Sequence, residues 1–506
     1  MKKFKLAATS LTLTSLMLLS GCGGGKKKSI MFWTGFGGAI NSVLEPMLKE
    51  IGQIYDVDIK YETKGGYDSL NQSISLSVSN EAYPNIANGY PDHFADYLAA
   101  NIMVPLDGFI NDPEEGIDLS DFKPNYLEEN RNMVYQRGED GEYDYSKPIT
   151  IGLPWNKSTE VMIANKSFFD VMNKHDETIK VPETWDELAE VGAKIITAVD
   201  ELGYYGKVVL EDGTIATAIP AEDAPNYAEF ASTVAFDFRN VKKEDFRPFS
   251  WDSTANFFIT AIRQWGGTYT EIGKDINYGY IRFDSAETRE ALAFFKDLYN
   301  QRIIGTPKSF GEALYASGPF KRGECVLTIS SSAGADQNIP HGAVEFPFEL
   351  ESHPIPYKDA DKKFVISQGT NLAIFDRGSY EDKLTSWKII RHLTTVVNDE
   401  FAMRTSYFPV TKTMQESELY SNFLNADPAE QNFSPEQKII QQTAKMNAEF
   451  YEDEDYAWIR FTDPAFVGSS FVRQEITPAM DLLFAGGKSP DEVISSVTKR
   501  LKDYIE

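Results

Sequence analysis

The chain has 506 residues, of which 42% are hydrophobic and 25% charged, and its formal net charge is −27. These proportions are typical of a globular protein, and the length exceeds the size at which one hydrophobic core stops growing, so two domains are expected. The excess of negative charge repels nucleic acid and anionic lipid at long range, which excludes a nucleic-acid-binding role.

Residues 1–21 have the pattern of a cleavable leader. Three lysines precede the uncharged run 6–19, which is too short to cross a ~30 Å hydrocarbon core as a helix. Cys22 directly follows Ser20 and Gly21, a pattern that resembles the bacterial lipobox. That resemblance implies cleavage before Cys22, a thioether from its sulfur to diacylglycerol, and acylation of the new amino terminus by a fatty acid such as palmitate.

Two or more acyl chains hold a protein stably on a bilayer, so the mature protein is expected to be anchored through Cys22 on the extracytoplasmic face of the cell membrane. Residues 22–29 are rich in glycine and lysine and predict a flexible tether. The alternative is a secreted protein with an incidental Cys22. The remaining cysteine, Cys325, leaves no intramolecular disulfide and is expected to be a buried, inert thiol.

Segments between residues 30 and 89 alternate between strand and helix patterns. Their order predicts a βαβαβ unit with parallel strands and helical crossovers. Ligands of such sheets bind outside the carboxyl ends of the strands. Three side chains follow the three predicted strands, and this geometry selects them as candidate site residues: Trp33, Tyr67 and Asp92.

Further along the chain, four helices are predicted. Thr184 and Glu187 form a capping box, residues 253–265 and 286–299 have helical patterns, and Ser489 and Glu492 open a C-terminal helix. Two tryptophans within helical patterns, Trp185 and Trp387, are expected in the core.

Several short segments, spread over nearly the whole mature chain, resemble those of the solute-binding lipoproteins of ABC transporters. Within that group the chain is similar to the carbohydrate-binding receptors of the maltose and glycerol-phosphate types. The segments are 30–33 (IMFW), 65–68 (GGYD), 104–107 (VPLD), 153–159 (LPWNKST), 182–185 (PETW), 323–332, 371–375 (NLAIF), 407–412 (YFPVTK) and 486–490 (GGKSP).

The resemblance implies an α/β fold of two lobes joined by a hinge, with the ligand in the cleft between them. It divides the chain into a leader, a tether, a first lobe that is interrupted by a second, and C-terminal helices that belong mainly to the second lobe. The expected boundaries are 1–21, 22–29, 30–152 (first lobe), 153–368 (second lobe), 369–406 (return to the first lobe) and 407–506.

Carried over by position, the cleft residues implied by the resemblance are Tyr67, Asp92, Ser158, Ser331, Gly369 and Tyr407. Local context adds Trp33 and Trp251, since each follows a strand-like or loop segment and offers an aromatic plane for a sugar face. Two roles suit Asp92 equally well: its carboxylate could accept a hydrogen bond from a ligand hydroxyl, or it could cap the N-terminus of the following helix. Ser331 fits a ligand donor or the end of a strand, and Gly369 is expected where backbone approaches the ligand closely.

The implied function is reversible binding of a carbohydrate, expected to be an oligosaccharide, by a monomer that delivers it to an ABC permease. No catalytic residue, no metal and no cofactor is expected. A glycerol-3-phosphate or glycerophosphodiester receptor is the first alternative. Phe466 stands about where the phosphate-binding arginine of those receptors would fall, although Arg460 or Arg473 could replace it. A surface-anchored glycoside hydrolase would need two facing carboxyl groups in a pocket, and a structural adhesin would lack the cleft.

Overall fold

The structure is a computed structural model that describes residues 27–138 and 142–502. The predicted leader and the lipidation site at Cys22 lie outside the described residues. The first strand begins at Lys28, so Lys28 and Ser29 belong to a strand and not to the predicted tether. No helix within the described residues is both long and apolar enough to cross a membrane.

The strands and helices follow one another in a mixed α/β order. The strands are β1 Lys28–Thr34, β2 Val57–Thr63, β3 Ile86–Gly89, β4 Tyr135–Arg137, β5 Tyr143–Pro148, β6 Leu153–Asn165, β7 Val208–Leu210, β8 Val234–Asp237, β9 Phe249–Trp251, β10 Thr270–Ile272, β11 Gly279–Ile281, β12 Leu327–Ser331, β13 Leu350–His353, β14 Phe364–Ile374 and β15 Ile459–Phe461. The helices are α1 Gly38–Ile54, α2 Tyr67–Ser77, α3 Pro91–Ala99, α4 Asp107–Ile110, α5 Pro124–Glu128, α6 Lys166–His175, α7 Trp185–Glu201, α8 Tyr227–Ala231, α9 Thr254–Gln264, α10 Ala286–Asn300, α11 Ser317–Lys321, α12 Tyr380–Thr395, α13 Asn398–Thr405, α14 Lys412–Gln415, α15 Glu418–Asn425, α16 Pro435–Met446, α17 Ser469–Phe484 and α18 Pro490–Leu501.

The predicted βαβαβ unit is confirmed. β1 pairs in parallel with both β2 and β3, and helices α1 and α2 connect them. The capping boxes at the starts of α7 and α18 are also present, with the Thr184 and Ser489 hydroxyls accepting from the backbone of Glu187 and Glu492. Trp185, Trp387 and Cys325 are buried, as expected.

The main sheet runs through both lobes. Its strand order is β2-β1-β3-β14-β6-β12-β9, with β13 and β15 attached to β6 and β14. β6 pairs with β14 along residues 153–159 and with β12 along residues 160–164. The two long antiparallel strands β6 and β14 therefore carry the sheet from one lobe into the other.

Three large hydrophobic clusters fill the two lobes. Two of them cover opposite faces of the sheet in the first lobe, around Phe32 and Trp33 respectively, because successive side chains of β1 point to opposite faces. The third fills the second lobe and includes the last part of β6 together with α7, α9, α17 and α18. The chain thus has the two-lobed α/β fold that was predicted.

A buried ion pair lies where the lobes meet. The Lys157 ammonium on β6 donates to the Glu129 carboxylate and to the Gly369 carbonyl on β14, the latter at 3.1 Å. Thr462, which follows β15, donates to the other oxygen of Glu129 at 3.2 Å. The pair therefore ties four separate segments together, and its hydrogen bonds offset the cost of burying both charges.

Gly369 explains why β14 can approach β6 this closely. Its φ is +89°, and a Cβ at this position would lie 1.9 Å from the Asn156 carbonyl oxygen and 2.8 Å from the Lys157 Cα. The expectation that Gly369 admits a ligand is therefore wrong, because the space of the missing side chain is filled by the neighbouring strand.

We expect Gly369→Ala to lower the midpoint of thermal unfolding by several degrees, since the substitution adds about 1 kcal/mol of backbone strain and a clash with backbone atoms that cannot move aside. Gly203→Ala is the matched control, because Gly203 also has a positive φ, +68°, but nothing within 4 Å of the added Cβ. Circular dichroism melts of both variants test this. Equal midpoints for the two variants would contradict the close approach.

Candidate functional site

The crossing strand β6 presents a row of polar side chains on one face. Asn156, Ser158 and Glu160 alternate with Lys157 and Thr159, so the first three point to the same side of the sheet. Asn156 lies opposite β14 of the first lobe, and Glu160 lies opposite Ser331 of the second. The row therefore runs from one lobe to the other and forms the floor of the candidate site.

Three tyrosines stand over the first-lobe end of this row, and we call them the tyrosine cluster: Tyr67, Tyr90 and Tyr407. The hydroxyls of Tyr67 and Tyr407 are 3.3 Å apart, and the ring of Tyr67 meets that of Tyr90 edge to face at 5.0 Å. The Asn156 side chain approaches both hydroxyls. Tyr407 is held from behind by stacking on Phe401 at 5.9 Å.

The position of Tyr67 depends on a glycine and on a buried chain of hydrogen bonds. Gly35, directly after β1, lies so close to Tyr67 that a Cβ would be 2.8 Å from its ring. The Gly35 amide donates to the Asn88 side chain, which donates to Thr370 at 2.9 Å. Thr370 in turn donates to Asn156 at 2.5 Å. This chain of hydrogen bonds links the segment after β1 to β3, β14 and β6 beneath the cluster.

The tyrosine hydroxyls are neutral at physiological pH. Burial raises the pKa of Tyr67 well above its ordinary value, and the neighbouring Tyr407 and Tyr90 raise it further. Burial also raises the pKa of Tyr90 and of Tyr407. A neutral phenol both donates and accepts a hydrogen bond, which suits a ligand that carries hydroxyl groups.

A pair of serines marks the middle of the site. The Ser331 hydroxyl donates to the Ser158 hydroxyl at 3.3 Å, so the end of β12 and the centre of β6 meet there. The next residue, Ser332, has a different role, since its hydroxyl accepts from the Thr159 amide at 3.2 Å and ends the strand. The structure thus brings Ser158 and Ser331 together, as the resemblance implied.

An arginine from α17 reaches the site between two carboxylates. Arg473 donates to Asp463 at 3.1 Å, and Asp92 and Tyr90 of the first lobe lie within electrostatic reach. Burial opposes the charge of Arg473, but Asp463 and Asp92 raise the pKa of its guanidinium. Asp92 sits in the first turn of α3 and accepts from the adjacent His93 amide, while Tyr90 occupies the N-cap position.

Two further acids lie at the second-lobe end. Burial raises the pKa of Glu160 to about 8, although Thr260 donates to it and Arg473 is near. Burial raises the pKa of Asp252 to about 6, against two backbone hydrogen bonds that favour the charged form. At pH 7 Glu160 is therefore mostly the uncharged acid and Asp252 mostly the carboxylate. No group of three metal-ligating side chains is found in residues 27–138 and 142–502.

Both tryptophans predicted for the site lie elsewhere. Trp251 is fully buried in the second lobe, where its ring stacks on Phe257 at 3.9 Å and its Nε1 donates to Thr254. The prediction that Trp251 faces the cleft is therefore wrong. Trp33 packs in the first-lobe cluster on the face of β1 opposite Phe32, and the Lys64 ammonium covers its ring at 3.7 Å.

Of the basic residues considered, Arg473 is the one that enters the site. Phe466 is fully buried in the core of the second lobe. Arg460 donates to Tyr126 and Asn447 in a separate network. The sequence reasoning did not select Tyr90, Glu160 or Asp463. Tyr90 directly follows β3, so the strand-end rule that selected Asp92 applies to it equally, whereas no local pattern marks the other two.

The comparisons with known proteins agree with this architecture. The sequence profile of the bacterial extracellular solute-binding proteins matches residues 47–430. The sn-glycerol-3-phosphate-binding periplasmic protein UgpB of Yersinia enterocolitica is 23% identical over 414 residues, which cover 79% of this chain and 78% of that protein.

Two solved structures show the same fold. The GacH receptor of Streptomyces glaucescens, solved unliganded and with acarbose, has a TM-score of 0.65 and 14% identity and covers 95% of this chain and 99% of its own. UgpB of Mycobacterium tuberculosis, in complex with glycerophosphocholine, has a TM-score of 0.62 and 15% identity with the same coverage. Since the family profile spans most of the sequence and the fold agrees, the chain belongs to the bacterial extracellular solute-binding proteins.

Proposed function

We propose that this protein is the lipid-anchored receptor of an ABC importer, that it binds a neutral carbohydrate by closing its two lobes, and that it delivers the sugar to the permease. As an extracellular solute-binding protein it acts outside the cytoplasm. The observation that carries the sugar assignment is the row of neutral hydroxyl and amide groups on β6 beneath the tyrosine cluster. Such groups match the hydroxyl rim of a sugar, and the rings match its CH-rich faces.

Charge favours a neutral ligand over a phosphorylated one. Of the basic residues considered, Arg473 enters the site, and it already has Asp463 as a partner and Asp92 as a neighbour. Asp252 adds a third carboxylate at pH 7. A phosphate brought into this site would meet more negative than positive charge, whereas a sugar would not.

The hinge is proposed to lie within β6 and β14. The expected changes of lobe at 152/153 and 368/369 fall at the start of β6 and in the middle of β14, where Gly369 opposes Lys157. We assign residues 407–506 mainly to the second lobe because α17 and α18 pack in its core, whereas Tyr407 itself packs in the first-lobe cluster around Phe32. Anchoring through acylated Cys22 would keep this receptor beside its permease.

A glycerophosphodiester is the second candidate ligand. The UgpB relatives and the entry of Arg473 into the site favour it. It requires that Arg473 exchange one of its carboxylate partners for the phosphate.

Isothermal titration calorimetry of the wild-type protein separates these candidates. We expect heats with at least one neutral trisaccharide from a panel of maltotriose, cellotriose, xylotriose and mannotriose, and weaker or no heats with glycerol 3-phosphate and glycerophosphocholine.

The Tyr407→Phe substitution should lower the affinity for that trisaccharide by roughly fivefold, because one hydrogen bond of about 1 kcal/mol is lost. Tyr380→Phe is the control, since Tyr380 is an exposed tyrosine of α12.

Tighter binding of glycerophosphocholine than of any sugar would replace the first candidate by the second. Release of reducing ends from an oligosaccharide would instead indicate a glycoside hydrolase.

Removing a carboxylate near Arg473 should change the preference for charge. We expect Asp92→Asn to improve binding of glycerol 3-phosphate relative to the sugar by roughly fivefold, because one repulsive charge close to the phosphate is removed. The ratio of the two dissociation constants at low salt is the measurement. Asp223→Asn, an exposed loop substitution, should leave the ratio unchanged. An unchanged ratio in Asp92→Asn would place Asp92 outside the ligand's reach.

The lobes also touch directly, through Asp96 of α3. The Asp96 carboxylate accepts from the Gly468 amide and from the Ser470 hydroxyl at the N-terminus of α17, each at 3.3 Å. A carboxylate is stabilised at this end of a helix by the unpaired amides and the helix dipole. These two bonds therefore favour the closed arrangement of the lobes.

Asp96→Ala should shift the ligand-free protein toward an open form, because both interlobe hydrogen bonds are lost. We expect a larger radius of gyration by small-angle X-ray scattering and a roughly five- to tenfold weaker affinity, since the ligand must then supply the closing free energy. Asp223→Ala serves as the control. An unchanged radius together with unchanged affinity would show that Asp96 does not control closure.

A further inference from the structure

Two neighbouring apolar side chains are exposed on a loop of the second lobe. Leu314 is 64% exposed and Tyr315 61%, in the segment between the short helical turn Pro307–Phe310 and α11. Single exposed hydrophobic residues are ordinary, but an adjacent pair with a large aromatic ring beside a binding site is a common feature of ligand contact.

The loop is fixed to the floor of the site by Asp252. The Asp252 carboxylate accepts from the Ala316 amide at 2.7 Å, directly after Tyr315. The Asp252 amide in turn donates to the Ile329 carbonyl on β12 at 2.8 Å, two residues before Ser331. Since β9 and β12 are parallel neighbours, Asp252 and Ser331 lie at the same edge of the sheet. Tyr315 is thereby held next to the serine pair.

The first lobe lies on the other side of Tyr315. Its hydroxyl is within electrostatic reach of Asp68, which follows Tyr67 in the first turn of α2, and of Tyr90. Tyr315 therefore stands at the mouth of the cleft, across from the tyrosine cluster.

The ring of Tyr315 has an open face. Across residues 27–138 and 142–502, it stacks on no other aromatic ring and no cation covers it, whereas the rings of Tyr67, Tyr90 and Tyr407 each pack against another ring. A phenol ring held in place with an open face is suited to the CH-rich face of a pyranose.

We propose that Tyr315, with Leu314 beside it, forms an outer subsite that stacks on the second or third ring of an oligosaccharide whose first ring lies between the tyrosine cluster and the serine pair. The inference rests on the proposed carbohydrate function and makes it specific, because it assigns the tyrosine cluster and Tyr315 to different rings of one ligand. The ligand class is accordingly a neutral oligosaccharide of at least two sugar units.

The test compares chain lengths of one sugar in the full chain. The trisaccharide that binds wild type in the panel is titrated beside its disaccharide and monosaccharide. We expect affinity to rise with length in wild type, and Tyr315→Ala to weaken the trisaccharide by roughly tenfold while changing the monosaccharide little. Tyr315→Phe should restore the gain, because the ring and not the hydroxyl makes the contact.

Tyr380→Ala is the matched control, since Tyr380 is also 61% exposed but stacks on Phe109 in the first lobe. Thermal melts confirm that each variant folds. If wild type binds sugars and Tyr315→Ala binds every length as wild type does, the outer subsite is overturned and the carbohydrate function stands. If wild type binds no sugar of the panel at any length, both proposals are overturned together.

Discussion

The close approach of β6 to β14 is the constraint on which both the fold and the site depend. Gly369 removes the one side chain that would separate the strands, and Lys157 with Glu129 fills the space on the far side of β6. Because the side chains of a strand alternate, fixing Lys157 on one face fixes Asn156 and Ser158 on the other. The same strand pair thus joins the lobes and supplies the polar floor between them.

The electrostatics of the site follow from its burial. Tyrosines and Glu160 are kept in their neutral forms because a low-dielectric surrounding penalises charge, and Arg473 stays charged because two carboxylates accompany it. A ligand therefore meets many hydrogen-bonding groups with little net positive charge. Under the proposed function, that combination discriminates by the positions of hydroxyl groups more than by ionic charge.

Local patterns were sufficient for the βαβαβ unit, since periodicity is a local property. Strand-end geometry selected Tyr67 and Asp92, but it also selected Trp33, which lies within β1 and packs in a hydrophobic cluster. Local patterns failed for Trp251, because β9 is three residues long and the ring turns back onto Phe257 of the next helix. They also failed for Gly369, whose neighbour is a strand more than 200 residues earlier in the sequence. Arg473 reaches Asp92 only through tertiary packing of α17, for which the sequence has no local signal.

In the proposed mechanism, closure of the two lobes and recognition of the ligand are the same event. The tyrosine cluster belongs to the first lobe, whereas Ser331 and Tyr315 are carried by the second, so a ligand touches both sets only when the lobes approach each other. Asp96 already joins α3 to α17 across this gap, and under the proposed closure these bonds reduce the free energy that a ligand must supply. A solute too short to span from the cluster to Tyr315 would gain contacts to one wall alone and could not shift the equilibrium between the open and closed forms as far.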